Sequence, residues 1–217
     1  MGDIILAGST SGSITVAPPA VAGSGTLTLP TGTDTLVGKA TTDTLTNKSI
    51  VATQLTGTVA AARLPAGSVI QVVHTATGAV ATGTTLIPGD DTIPQITEGT
   101  EFMTLSITPT SATNRLFIQH VGNYSNQPIN IVLTIALFVG TTADALACLY
   151  DEAPASSRVP RNYPVFYDME AGTTSSLTFR VRAGGDMAGT TNFNGRNGSR
   201  MMGGAMASFL RITEYAI

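Results

Sequence analysis

Asp90, Asp91, Glu98 and Glu101 form the densest carboxylate cluster in this chain, along and just beyond Gly89-Asp90-Asp91-Thr92-Ile93-Pro94. Turn carboxylates can supply some of the six to eight oxygens that a hard cation such as calcium takes, but their spacing matches no EF-hand loop. The ordinary use of such acids is a solvated turn in which they cap backbone N–H groups or pair with Arg. Two carboxylates are also the apparatus of glycoside hydrolysis. Enzymes of that kind line a long groove with aromatic platforms, and the chain contains no Trp. His74 and His120 are the only histidines, each at or inside an apolar run with no Cys or second His at metal-ligand spacing. Both are expected to be satisfied within a sheet. Neither a Gly-x-Ser-x-Gly elbow nor a P-loop occurs. No catalytic residue, resident metal or cofactor is predicted.

Binding chemistry is better represented. Asn192-Phe193-Asn194-Gly195-Arg196-Asn197-Gly198-Ser199-Arg200 concentrates amides, one aromatic ring and two guanidinium groups. A loop tip built this way presents Asn192, Phe193, Asn194, Arg196, Asn197 and Arg200 to a partner. Its two Asn-Gly steps also favour tight hairpins, which alone account for the composition. Tyr124, Tyr150, Tyr163 and Tyr167 can offer flat faces to a sugar ring, although core or interface packing is the commoner fate of tyrosine. The single Cys148 lies in Ala145-Leu146-Ala147-Cys148-Leu149-Tyr150, cannot form an intrachain disulfide, and reads as a buried, inert thiol.

Positioning these residues is the work of a chain with two unlike parts. All seven Phe and five Tyr follow residue 101, the first being Phe102. The preceding stretch is rich in Thr, Gly and Ala and has too little apolar bulk to close a core unaided. Its short alternating pieces, such as Ser13-Ile14-Thr15-Val16-Ala17 and Gly25-Thr26-Leu27-Thr28-Leu29, each bury one narrow apolar stripe. Copies of the chain winding around one axis would cover that stripe and pair the strand edges. Leu27 and Leu29 are therefore candidate interface residues. The Ala run before Pro65 reads as a neck, so residues 1–66 are assigned to a stalk and residues 67–217 to a head.

In the head, β-type segments recur at 68–74, 101–108, 114–121, 130–139, 145–150, 163–168, 174–183 and 204–214. Within the seventh, Leu177, Phe179 and Val181 alternate with Thr178, Arg180 and Arg182, so one face carries both Arg. That face is either solvent or a subunit interface, which makes Arg180 and Arg182 interface candidates. Residues 184–204 read as one long Gly/Asn/Met-rich hairpin. The fold class is all-β: an extended N-terminal β-rich stalk, then an antiparallel β-sandwich of jelly-roll-like form.

Charge and targeting signals narrow the function further. The net charge is −3 and only 12% of residues are charged, so no basic field is available for nucleic acid. Before residue 102 there are three basic and seven acidic residues; after it there are eight and seven, and all eight basic residues are Arg. Arg suits planar pairing at interfaces better than Lys. The N-terminus lacks the positive region of a secretory signal, and Leu6 stands where a myristoylation signal has Ser or Thr. No apolar run approaches the ~20 residues of a membrane span.

Several phrases resemble those of bacteriophage fibre proteins. They include Ser11-Gly12-Ser13-Ile14-Thr15-Val16, Gly25-Thr26-Leu27-Thr28-Leu29-Pro30, and Thr44-Leu45-Thr46-Asn47-Lys48-Ser49-Ile50. Arg63-Leu64-Pro65 followed by Gly67-Ser68-Val69-Ile70-Gln71 is similar to a neck and head entry. Ser106-Ile107-Thr108-Pro109 and the ending Ser208-Phe209-Leu210-Arg211-Ile212-Thr213-Glu214 continue the likeness. The resemblance implies a homotrimer on the exterior of a virion. Its N-terminal segment would be held by capsid or tail proteins, and its distal β head would be exposed to a host-surface glycan or protein. The short shaft favours a short tail fibre or a head-decoration fibre over a long receptor-reaching one.

Overall fold

The computed structural model describes residues 4–7, 11, 13–16, 49, 51, 57, 59, 63–128, 131–152 and 159–217. The chain divides into two units, residues 1–56 and 57–217. In the first, β1 (Ile4–Ala7) and β2 (Ser13–Val16) pair antiparallel with Ile4 opposite Val16. Leu27 and Leu29 lie outside the described residues, as does the rest of the expected alternating pattern up to residue 48.

The second unit is built from antiparallel strands. They are β3 (Val69–Thr77), β4 (Ala81–Gly83), β5 (Thr100–Ile107), β6 (Arg115–Gln127), β7 (Val132–Val139), β8 (Ala147–Glu152), β9 (Arg161–Glu170), β10 (Leu177–Gly185), β11 (Thr190–Phe193), β12 (Gly195–Arg196), β13 (Ser199–Arg200) and β14 (Ser208–Tyr215). One sheet runs β5-β10-β7-β8. The other runs β3-β14-β6, with β9 also on β6, and β11 then β4 extending from the far end of β6. Each of the eight expected head segments overlaps a strand, with β6 running six residues past its expected end at 121 and β14 starting four residues after 204. Residues 184–204 differ from the expected single hairpin. They contain β11, which joins the sheet at Tyr124–Gln127 of β6, and only 195–200 fold back as the small β12–β13 hairpin.

The two sheets share one core, because alternating strands turn their apolar sides toward each other. Leu116, Ile118, Leu210 and Ile212 from one sheet meet Met103, Leu133, Ile135, Leu137, Phe179 and Val181 from the other. Three of its aromatic rings, Phe102, Tyr124 and Phe193, cluster with centroids 5.2–5.7 Å apart. Asp151 on β8 ties the sheets at one margin, accepting from Arg161 Nη1 at 3.1 Å and the Tyr163 hydroxyl at 3.0 Å on β9. That bond and burial push the Tyr163 phenol up to about 12, with burial the larger cause.

Strand β7 reads Val132-Leu133-Thr134-Ile135-Ala136-Leu137-Phe138-Val139, nearly all apolar, as expected of a strand buried on both faces. Its second cover is the segment 84–99. Ile87 is fully buried with Ala136 and Phe138, and Ile96 and Ala145 pack against them. The Ile87 amide donates to the Gly185 carbonyl (3.0 Å), the Gly99 amide to Leu86 (2.8 Å) and the Ala145 amide to Pro94 (2.9 Å). Gly184 makes the approach possible: a Cβ there would stand 2.6 Å from the Thr85 carbonyl oxygen.

Candidate functional site

Half of the expected binding loop is internal. Asn192, Phe193 and Asn194 are essentially without solvent contact. The Asn194 amide donates to the carbonyls of Thr77 (2.8 Å) and Ala79 (3.2 Å), and its oxygen accepts from the Ser208 hydroxyl at 2.6 Å. Asn192 accepts from the Gly198 amide at 2.7 Å and donates to the Ser125 carbonyl at 3.3 Å. Phe193 belongs to the core. These side chains serve the backbone groups that a strand-to-hairpin corner leaves unpaired, so they shape the loop instead of presenting it. Of the six candidate side chains, Arg196, Asn197 and Arg200 are exposed.

Both expected interface arginines are occupied within the chain. Arg180 bonds Glu101 at 3.0 Å and the Gly140 carbonyl at 3.2 Å. Arg182 donates to the carbonyls of Glu98 and Gly99, both at 2.8 Å, and approaches Glu101 at 3.5 Å. The forks thus tie β10 to β5 and to segment 84–99. Two large exposed apolar side chains, Val72 and Phe166, lie on the outer face of the other sheet. Strand register places Val72, Phe117, Val121, Pro164, Phe166 and Phe209 on that face. Phe117 and Phe166 stack at 6.2 Å, and Phe166 and Val72 are each 51% exposed.

The four acids of the cluster disperse. Asp90 accepts from the Thr92 hydroxyl at 2.5 Å and its amide at 2.9 Å, and these bonds hold its carboxyl below the usual range. Glu98 accepts from the Gln95 amide at 2.8 Å, and Glu101 pairs with the two Arg. Among the described residues, no three His, Cys, Asp or Glu side chains converge as a metal ion needs.

His120 is buried. Its Nδ1 lies 2.9 Å from the Phe209 carbonyl and must donate to it. Nε2 then accepts from the buried Tyr124 hydroxyl at 3.1 Å. Burial lowers the His120 pKa to about 4, the Phe209 bond opposing weakly, so the ring is neutral. His74 is exposed. Cys148 is exposed too, contrary to expectation, because β8 is a sheet edge and the residue falls on its outer side.

That outer side holds a cleft. Opposite residues on β7 and β8 share a face, which sets Thr134 beside Tyr150 and Ala136 beside Cys148. Pro88, Gly89, Asp90, Thr92 and Pro94 form the facing wall around a cavity of about 360 Å³. A space of about 400 Å³ adjoins it through Asp90, Thr92, Pro94 and Cys148 and reaches Asp91 and Ile93. Tyr150 is 58% exposed, whereas Tyr124 and Tyr163 are buried and Tyr167 packs against the core. Thr134 is only 3% exposed, and its hydroxyl has no hydrogen-bond partner. A lone polar residue inside the β7 apolar run was the one sequence signal for this position.

No protein-family model matches the chain, and no curated protein sequence does. Among solved structures, the chain is similar to the Eiger TNF of S. frugiperda, at 8% identity and TM-score 0.36, over 67% of this chain and 93% of that one. It is also similar to the infectious bursal disease virus VP2 subviral particle, at 11% identity and TM-score 0.32, over 68% and 38%. Similarity to the enzymatically active domain of bacteriophage CBA120 tailspike protein 4 has 15% identity and TM-score 0.26, over 57% and 18%.

Proposed function

We propose that this chain is a structural protein of a bacteriophage particle, a homotrimeric short fibre on the virion exterior. Its N-terminal segment attaches to capsid or tail proteins, and its head is displayed for adhesion to the host surface. The observation that carries this reading is the division of labour along the chain. Residues 1–66, the part of the aromatic-free stretch assigned to the stalk, need sister copies to bury their apolar stripe. The head closes a complete core, yet leaves Val72, Phe117 and Phe166 on one outer sheet face.

The two four-stranded orders, β3-β14-β6-β9 and β5-β10-β7-β8, support reading the head as a jelly roll. In this reading subunit contact in the head falls on the Phe face, where Val72 and Phe166 are exposed. Three heads on one stalk bind a repetitive surface with avidity beyond that of any single site. The reading includes no catalytic step, nucleic acid or membrane insertion.

Sedimentation equilibrium at micromolar concentration tests the assembly. The expected mass is three times that of the 22.2 kDa chain, and a stable monomer overturns the proposal. Immunogold labelling of intact particles tests the location. A second reading, a receptor- or polysaccharide-binding tail-fibre tip, is favoured by the open cleft at Tyr150, and cell binding by the purified trimer distinguishes it from a purely decorative fibre.

A further inference from the structure

We propose that the cleft between the 88–94 turn and β8 binds a neutral saccharide. The proposal deepens the adhesion reading above and rests on it for the biological source of the sugar. Four observations converge on this ligand class. The cavity of about 360 Å³ is within the range of small-molecule sites, roughly 300–1,000 Å³. Its one large aromatic, Tyr150, is 58% exposed at the rim, where a ring can lie flat against the C–H face of a pyranose.

Thr134 supplies the third. A buried hydroxyl without a protein partner is unfavourable, and native structures rarely keep one without a reason. Thr134 lines the cavity with its hydroxyl just beneath the wall, and a χ1 rotation would bring that group to a sugar hydroxyl, to which it can donate and from which it can accept. The fourth is charge. Asp90 directs one carboxylate oxygen to Thr92, which leaves the other as an acceptor, and Asp91 stands at the adjoining rim. Carboxylates accept strongly from neutral hydroxyls and repel phosphates, sulfates and uronates. No basic side chain lines either space.

Saturation-transfer NMR on the full-length protein tests the assignment. The neutral probes are the methyl glycosides of glucose, galactose and N-acetylglucosamine, and glucuronate is the anionic probe. At least one neutral probe is expected to show transfer, and glucuronate none. Tyr150→Ala, at an exposed position, should abolish the transfer. Thr134→Val should weaken binding by about tenfold, the worth of one hydrogen bond, with a melting temperature equal to or above that of the parent. Absence of transfer to every neutral probe, equal transfer to glucuronate, or transfer that survives Tyr150→Ala overturns the proposal. Sedimentation of the same samples separates the two readings. A trimer that takes no sugar retires the cleft alone, and a monomer that takes one retires the fibre and keeps the cleft.

Discussion

Glu214 and His120 are both buried, one held charged and the other neutral. Burial alone would raise the Glu214 carboxyl. Hydrogen bonds from Gln71 and Asn114 (2.6 Å each) and from the Thr110 hydroxyl and amide (2.8 Å each) outweigh it and hold the carboxyl below its usual range. For both groups the unfolded chain takes up protons at higher pH than the folded one, so acid favours unfolding. The His120 contribution is complete above its ordinary value of 6.5 and is lost as pH falls to about 4. It is on the order of 3 kcal/mol, and Glu214 extends the loss below the ordinary carboxylate range. The melting temperature should fall over this interval, and a flat profile down to about pH 5 would contradict the His120 assignment. Asn194→Ala strands two carbonyls and a hydroxyl and should cost about 2–3 kcal/mol in urea unfolding, against about 0.5 kcal/mol or less for the exposed Arg196→Ala. Equal costs would restore Asn194 to the surface. The Asn-rich composition showed that a corner was present, but facing direction depended on Thr77, Ala79 and Ser208, remote in sequence.

At the scale of elements, the informative unit is segment 84–99 on the outer face of β7 and β10. The apolar β7 has a second cover, which the expected β-type segments did not anticipate. Which segment supplied it was not legible, because the Ile87–Phe138 contact joins distant positions through Gly184. Gly184→Val would drive a side chain into the Thr85 and Ile87 backbone. The expected result is displacement of segment 84–99, faster amide exchange at Ile87 and Gly99, and a loss of saccharide binding, with the shared core retained. Phe138→Ala should cost about 3–5 kcal/mol. Unchanged exchange in the Gly184 variant would mean that the segment is held by its own turns instead of by the sheet.

For the whole molecule, the fibre proposed above uses the stack of half-buried Phe117 on exposed Phe166 as a head contact in the proposed trimer. Replacing both by Ser in the full chain should raise the concentration at which the trimer dissociates by at least about tenfold, read by sedimentation equilibrium. An unchanged dissociation concentration would place all subunit contact outside this face. The Arg-bearing face, expected from alternation alone to be solvent or a subunit interface, turned out to carry contacts within the chain, for a general reason. Periodicity says that Arg180 and Arg182 share a side; it does not say that Glu101 and the carbonyls of segment 98–99 reach them first.

Local pattern was sufficient for the strands. Side chains alternate along an extended backbone whatever the rest of the chain does, so eight head strands and the aromatic division at Phe102 were readable residue by residue. The occupants of the loop corner, the partners of the arginines, the exposure of Cys148 and the cleft over Thr134 came only with the folded chain. Each depends on contacts between segments far apart in sequence, and no short-range period encodes which distant backbone will arrive to satisfy or bury a given side chain.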